Sequence, residues 1–100
     1  MTRATPRVLA ALASLALLAG CHRHTATAGN CRAILDRLVE MELKESGFRD
    51  PALVPRWQGE LARRFDDDLH RCQTIQVGDD LSACVRAAQN PEDIAHRCVK

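Results

Sequence analysis

Two stretches of this chain repeat the same order of cysteine, proline turn and His-Arg-Cys triplet, and this repeat limits the possible folds more than any other feature. The first stretch runs from Cys31 through Asp50-Pro51 to Cys72, and the second runs from Cys84 through Asn90-Pro91 to Cys98. Apolar residues recur at helical spacing on both sides of each proline turn. Each stretch is therefore predicted to form an antiparallel helical hairpin, the first long and the second short.

Two amphipathic patterns make up the first hairpin. One begins at Cys31, with Asn30 as its N-cap, and ends at Gly47. The other runs from about 55 to 72, because Pro55 would interrupt a helix that began earlier. We expect its apolar stripe to face the core, and the stripe consists of Trp57, Leu61, Phe65, Leu69 and Cys72.

The second hairpin follows a segment, 73–80, that contains a glycine and paired acids and is predicted to be a loop. A shorter helix is predicted from about 79 to 89, and Asn90 is predicted to cap a last helix that begins at Pro91. The predicted fold class is therefore all-α, a small bundle of about four helices arranged as two hairpins.

The first twenty residues have the features of an export signal. Arg3 and Arg7 precede an apolar run of eleven residues at 8–18. This run is well short of the roughly 20 residues that a helix needs to cross a bilayer. We therefore predict a signal peptide over residues 1–20.

The end of the apolar run, Leu18-Ala19-Gly20-Cys21, resembles the lipobox of bacterial lipoproteins. The resemblance implies cleavage between Gly20 and Cys21 and attachment of diacylglycerol to the Cys21 thiol. It implies a lipid-anchored protein of the bacterial cell envelope, with the outer membrane favoured because His22, and not an acid, follows Cys21. The alternative is an ordinary secreted protein in which Cys21 remains a free thiol.

Residues 21–30 are mostly small and polar and are predicted to be a flexible tether that carries the lipid. The folded domain is then expected over residues 31–100. As a whole, the chain resembles small four-cysteine bacterial lipoproteins of unassigned function, and this resemblance implies no catalytic residue.

With Cys21 assigned to lipid, four cysteines remain. An even number of cysteines in so short an exported chain predicts two disulfides. Antiparallel helices bring residues that are equidistant from the turn together, which favours the pairs Cys31–Cys72 and Cys84–Cys98. The two other connectivities remain open.

The charge balance and the low aromatic content argue against a nucleic-acid partner. Because Arg3 and Arg7 lie in the leader, residues 21–100 carry 12 Lys and Arg against 13 Asp and Glu. This balance lacks the basic excess on which nucleic-acid binding depends. The chain also has only three aromatic residues, Phe48, Trp57 and Phe65, which is little material for base stacking. No nucleic-acid partner is predicted.

Several side chains are of metal-binding types without the spacing of a metal site. His70, Cys72, His96 and Cys98 are suitable types for zinc, but residues two apart on a helix point in different directions. His22 and His24 are interpreted as polar tether residues, and Asp66-Asp67-Asp68 as a solvated acidic face that lacks the pattern of a calcium loop. Neither a metal site nor a cofactor is predicted.

The sequence contains none of the common catalytic or phosphate-binding motifs. The 80 residues that follow the leader are also few for a catalytic cleft. We therefore predict a membrane-anchored structural or protein-interaction module that is not an enzyme and that has an envelope protein as its partner. Two alternatives remain open, a small-ligand or metal carrier and an inhibitor of a periplasmic or extracellular enzyme that uses the segment from Phe48 to Trp57.

Overall fold

A computed structural model describes residues 23–99 of the chain. In chain order they form strand β1 (Arg23–Thr25), helices α1 (Ala28–Glu45), α2 (Leu53–Arg64) and α3 (Asp66–Cys72), strand β2 (Gln76–Gly78), helices α4 (Leu81–Ala87) and α5 (Pro91–Asp93), and a π-helical segment (Ile94–Cys98). The predicted fold class is confirmed, because the structure is mostly helical and contains two disulfides. The predicted signal peptide and the lipobox cysteine, Cys21, lie outside the described residues. Every helix within 23–99 is too short or too polar to span a membrane.

The first hairpin consists of α1 packed against α2 and α3. Helix α1 ends at Glu45, and Gly47 follows its end as predicted, with a φ of 82° that is readily adopted only by glycine. The amide of Phe48 donates to the carbonyl of Leu43 at 2.9 Å, which closes the last turn of α1. Further along, the side-chain amide of Gln58 on α2 donates to the carbonyl of Asp36 on α1 at 3.1 Å.

The helix predicted over 55–72 is two helices, α2 and α3. Helix α2 begins at Leu53, so Pro55 lies in its first turn, where a missing amide proton removes no helical hydrogen bond. The backbone leaves helical geometry at Phe65, with φ −103° and ψ 27°, and α3 begins at the next residue. The acids 66–68 therefore occupy the first turn of α3, where the helix dipole favours negative charge.

The prediction of a flexible tether over residues 21–30 is wrong for its described part, which begins with strand β1. The prediction of a loop over residues 73–80 is wrong at 76–78, which form β2. Strand β1 pairs antiparallel with β2, with Arg23 opposite Gly78, His24 opposite Val77 and Thr25 opposite Gln76. Beyond the strand, the amide of Ala26 donates to the carbonyl of Ile75 at 2.8 Å. These bonds satisfy backbone groups that a tether would leave to water.

Helix α1 begins at Ala28, three residues before the predicted start, because its N-cap is Thr27 and not Asn30. The amide of Asn30 donates to Oγ1 of Thr27 at 3.0 Å. In return, the amide of Thr27 donates to Oδ1 of Asn30 at 2.9 Å, which completes a capping box. The polar residues at 27 and 30 thus start the helix rather than belong to a flexible segment.

The second hairpin forms as predicted, with α4 packed against the π-helical segment. Asn90 caps α5 by accepting from the amide of Asp93 at 2.9 Å, and Pro91 occupies the first helical position. The π-helical segment closes with a bond from the amide of Val99 to the carbonyl of Ile94 at 3.0 Å. Its two buried residues, Ile94 and Cys98, face the core.

The core lies where the second hairpin meets β2 and the start of α1. Its buried residues are Ala26, Cys31, Val77, Leu81, Val85, Ala88, Ile94 and Cys98. Leu69 and Cys72 pack against this cluster, as their place on the predicted stripe requires. Trp57 and Phe65 do not, and their predicted core role is wrong, because their exposed fractions are 40% and 44%.

Candidate interaction surface

Each disulfide joins the two cysteines of its own hairpin. Cys31 and Cys72 link the start of α1 to the end of α3, with their Cα atoms 6.0 Å apart. Cys84 and Cys98 link α4 to the π-helical segment, with their Cα atoms 5.6 Å apart. The preferred pairing is therefore confirmed. Because all four sulfurs are consumed in these bonds, none is available as a thiolate ligand for the zinc site considered from the His-Arg-Cys triplets.

The described histidines take part in local hydrogen bonds or lie at the surface. Nδ1 of His70 lies 2.8 Å from the backbone oxygen of Asp66, one turn earlier in α3. His96 is exposed on the π-helical segment. His24 belongs to β1, whereas His22 lies outside the described residues. Within residues 23–99, no three His, Cys, Asp or Glu side chains gather in an arrangement that would hold a metal ion.

The acidic run at 66–68 is a solvated face, in agreement with the sequence interpretation. All three of its residues are exposed. Asp68 forms an ion pair with Arg71 one turn later in α3, and the carboxylate of Asp66 lies 3.6 Å from the ring of His70. These contacts are local to one helix and account for the position of the acids.

The aromatic side chains lie at the surface of the domain. Among the described large apolar side chains, the exposed ones are Phe48, Trp57 and Phe65, with exposed fractions of 53%, 40% and 44%. They include every aromatic residue in the sequence. Phe48 precedes α2 in the chain and Phe65 follows it directly, so Trp57 is the exposed aromatic residue on α2 itself. A chain with so few aromatic residues thus uses none of them to fill its core.

Trp57 belongs to an open groove along α2, which we call the α2 face. It is lined by Leu53, Arg56, Trp57, Glu60 and Arg64. One apolar helix position, one aromatic ring and two guanidinium groups therefore share the same side of one helix. The face combines the side-chain types that contribute most to binding energy in protein interfaces, tryptophan and arginine.

A local ion-pair network fixes the acidic member of the α2 face. The carboxylate of Glu60 pairs with Arg63 and, at 3.8 Å, with Arg64. The hydrogen bond from Arg63 and its positive charge hold the pKa of Glu60 below its ordinary value, with smaller contributions from Arg64 and Arg56. The side chain of Glu60 therefore carries its negative charge at neutral pH and partly offsets the arginine charge of this face.

The exposure of Trp57 follows from the width of the apolar arc on α2. At about 100° per residue, the positions from Leu53 through Trp57, Leu61 and Val54 to Ala62 cover roughly half of the helix circumference. One neighbouring helix covers a narrower stripe. Helix α2 packs mainly against α1, so one edge of the arc remains exposed. The width of this arc is the sequence signal from which the exposure of Trp57 could have been predicted. The i+4 stripe alone does not show that width.

A second groove separates the two hairpins. It is open, has a volume of about 920 Å³, and is lined mostly by polar and charged side chains: Arg37, Glu40, Lys44, Glu45, Gln89 and Asn90, together with Met41 and Pro91. Small-ligand sites are typically enclosed and mainly apolar. The groove between the hairpins is open and mostly polar, unlike such sites.

Arg37 joins the two hairpins across this groove. Its Nη2 donates to the carbonyl of Ala88 at 2.6 Å, and its Nη1 donates to Glu40 at 2.9 Å. Its Nε is buried and has no hydrogen-bond partner among the described residues. Sequence reasoning did not identify this role, because nothing local distinguishes Arg37 from Arg32, the other arginine of α1.

Replacing Arg37 with methionine is expected to lower the free energy of unfolding by about 1.5–3 kcal/mol, because a hydrogen bond from a charged group is lost and the carbonyl of buried Ala88 is left unpaired. The matched control is Arg32→Met on the same helix. Arg32 is more exposed and, among the described residues, pairs only with Asp36 one turn away, so this change should cost less than about 0.5 kcal/mol. Urea unfolding of both variants with intact disulfides measures the difference, and equal losses would contradict the bridging role of Arg37.

Comparisons with protein-family models, with curated proteins and with solved structures give no match to this chain.

Proposed function

We propose that this chain is a lipid-anchored interaction module of the bacterial cell envelope and that it acts by binding a partner protein, not by catalysis. The observation that carries the proposal is the exposure of Trp57 beside two arginines on the α2 face. Tryptophan is normally placed where its large apolar ring is covered. A small domain that keeps its single tryptophan 40% exposed is suited to covering that ring with a partner.

The anchoring part of the proposal comes from the leader. The charged start, the apolar run and Leu18-Ala19-Gly20-Cys21 together support export and lipidation. The two disulfides are also typical of proteins that fold in an oxidising compartment such as the periplasm. We therefore place the domain at a membrane of the envelope, with the outer membrane as the first choice.

The chemistry of the α2 face suggests the kind of partner. Glu60 offsets only part of the charge of Arg56, Arg63 and Arg64, so this part of the surface is basic around an apolar centre. A complementary surface would have an apolar pocket for Trp57 and carboxylates at its rim. The partner we propose is accordingly an envelope protein with an acidic, partly apolar surface.

A photo-crosslinking amino acid at position 57, introduced into the chain in living bacteria, tests this proposal. We expect one discrete protein adduct from position 57 and none from position 92, which is an exposed site on α5 of the second hairpin. Arg56→Glu together with Arg64→Glu should abolish the adduct, because the basic rim becomes acidic. Equal adducts from both positions, or an adduct that survives the charge reversal, would contradict a specific α2 face.

The inhibitor alternative uses the same surface and differs in the class of partner. The exposure of Phe48 and Trp57 supports it, because both ends of the segment proposed for inhibition are accessible. The identity of the crosslinked protein separates the two functions. An enzyme whose activity falls on addition of the purified domain would favour inhibition, whereas a structural or receptor protein would favour the first proposal.

A further inference from the structure

The start of the described chain is built into the domain. Strand β1 begins at Arg23, which pairs with Gly78 of β2. The amide of Ala26 then donates to the segment that precedes β2, and the side chain of Ala26 is buried in the core. The capping box of Thr27 and Asn30 leads directly into α1. The two residues between β1 and α1, Ala26 and Thr27, are therefore both held by hydrogen bonds to the domain.

This geometry sets a short distance between the domain and a lipid attached to Cys21. Only His22 separates Cys21 from Arg23 in the sequence, so covalent geometry alone allows at most about 7 Å between their Cα atoms. A flexible tether of ten residues would instead have a root-mean-square length of roughly 17 Å. The headgroup region of one leaflet is about 5–8 Å thick. When Cys21 is lipidated, the end of the β1–β2 ladder where Arg23 pairs with Gly78 must therefore lie at the headgroups.

Side chains at this end of the domain reinforce its rigidity. Nδ1 of His24 lies 3.3 Å from Oδ1 of Asp79, and its Nε2 lies 3.3 Å from Oδ1 of Asn30. The ring thus connects β1 with the turn after β2 and with the first turn of α1. Arg23 and Asp80 add exposed charges of both signs. This mixture complements zwitterionic headgroups, which present an ammonium and a phosphate group.

We propose that the domain is seated directly on the membrane surface, with Arg23 and the turn 78–80 against zwitterionic headgroups, and that it is held there by the β1–β2 ladder. The inference rests on the proposed lipidation of Cys21. It also limits the reach of the α2 face, because Gln58 is bonded to Asp36 near the middle of α1. By chain length, Trp57 lies within roughly 45 Å of Cys21. The partner must therefore lie at the same membrane or come to it.

Energy transfer from tryptophan to a dansyl-labelled headgroup lipid tests the seating. The lipidated full-length protein is extracted from bacterial membranes and reconstituted into vesicles of phosphatidylethanolamine and phosphatidylcholine. The reporter is Ser82→Trp combined with Trp57→Phe. Ser82 is exposed and follows the turn 78–80 by two residues, so the only tryptophan lies beside the proposed membrane contact without replacing a residue of it. We expect transfer from position 82 to exceed transfer from Trp57 in the unaltered chain at least twofold.

A ten-residue Gly/Ser insertion between His22 and Arg23 is the decisive variant, and the same ten residues appended after Lys100 are its control. The insertion should lower transfer from position 82 at least twofold, whereas the control should leave it unchanged. Unchanged transfer after the insertion would overturn the seating proposal. Palmitate labelling of the same protein reports the lipidation separately. Absence of label would overturn the anchor, whereas labelled protein that is insensitive to the insertion would overturn the seating alone.

Discussion

Replacing Cys21 with alanine is expected to abolish lipid labelling and to leave the protein either in the soluble fraction or as an uncleaved precursor. Each buried methylene of an acyl chain contributes about 0.8 kcal/mol to membrane affinity, so loss of two or three chains removes the anchor entirely. The fold should remain, because the core and both disulfides lie within residues 23–99. Palmitate labelling, membrane fractionation and mass mapping of the disulfides measure the three outcomes.

The control for this prediction is His22→Ala, which leaves the lipobox intact and should retain full labelling. Two results would contradict the anchoring proposal. One is palmitate label on the Cys21→Ala variant. The other is scrambled disulfides in that variant, which would mean that Cys21 takes part in thiol pairing and not in a thioether to lipid.

Removing the Cys31–Cys72 disulfide by changing both residues to alanine is expected to lower the free energy of unfolding by about 4 kcal/mol. Removing Cys84–Cys98 in the same way should cost about 3 kcal/mol, because its shorter loop of 14 residues restricts the unfolded chain less than a loop of 41. A domain of this size has a thin margin of stability, so we expect the first variant to be largely unfolded at 37 °C.

Urea unfolding followed by circular dichroism compares the two variants under identical conditions. Each double alanine variant leaves the other disulfide intact, so each serves as the control for the other. Both pairs place one cysteine in the core, Cys31 and Cys98, so the loss of core packing is similar in the two variants. The reverse order of destabilisation, or a loss below about 1 kcal/mol for the first pair, would contradict the loop-closure explanation.

The helical hairpins and their disulfides were predictable because their signals are local and repeated. Cys31 and Cys72 flank one proline turn, Cys84 and Cys98 flank another, and antiparallel packing brings each pair together. Gly47 and Asn90 were equally readable, since a left-handed backbone and an N-cap each favour particular residue types.

The β1–β2 ribbon was not predictable from the same kind of signal. Each strand is three residues long, which is too short to display the alternation that identifies a strand. His24 and Val77 are also far apart in the sequence, so their pairing depends on the hairpins being in place. Because the ribbon pairs residues 23–25 with the domain, part of the segment expected to be a flexible tether is ordered. The proposal that the domain is seated on the membrane depends on that difference.

The sequence by itself determined the two-hairpin plan and favoured the observed pairing of the cysteines, because both depend on local patterns or on symmetry about a turn. Only the tertiary structure decided which apolar side chains are covered. Leu69 and Cys72 pack against the core, whereas Trp57 and Phe65 on the same predicted stripe remain exposed. The reason is that the helix is interrupted at Phe65 and that α2 has mainly α1 as its neighbour. Helical period specifies which side chains share a face, but burial depends on whether another element packs against that face.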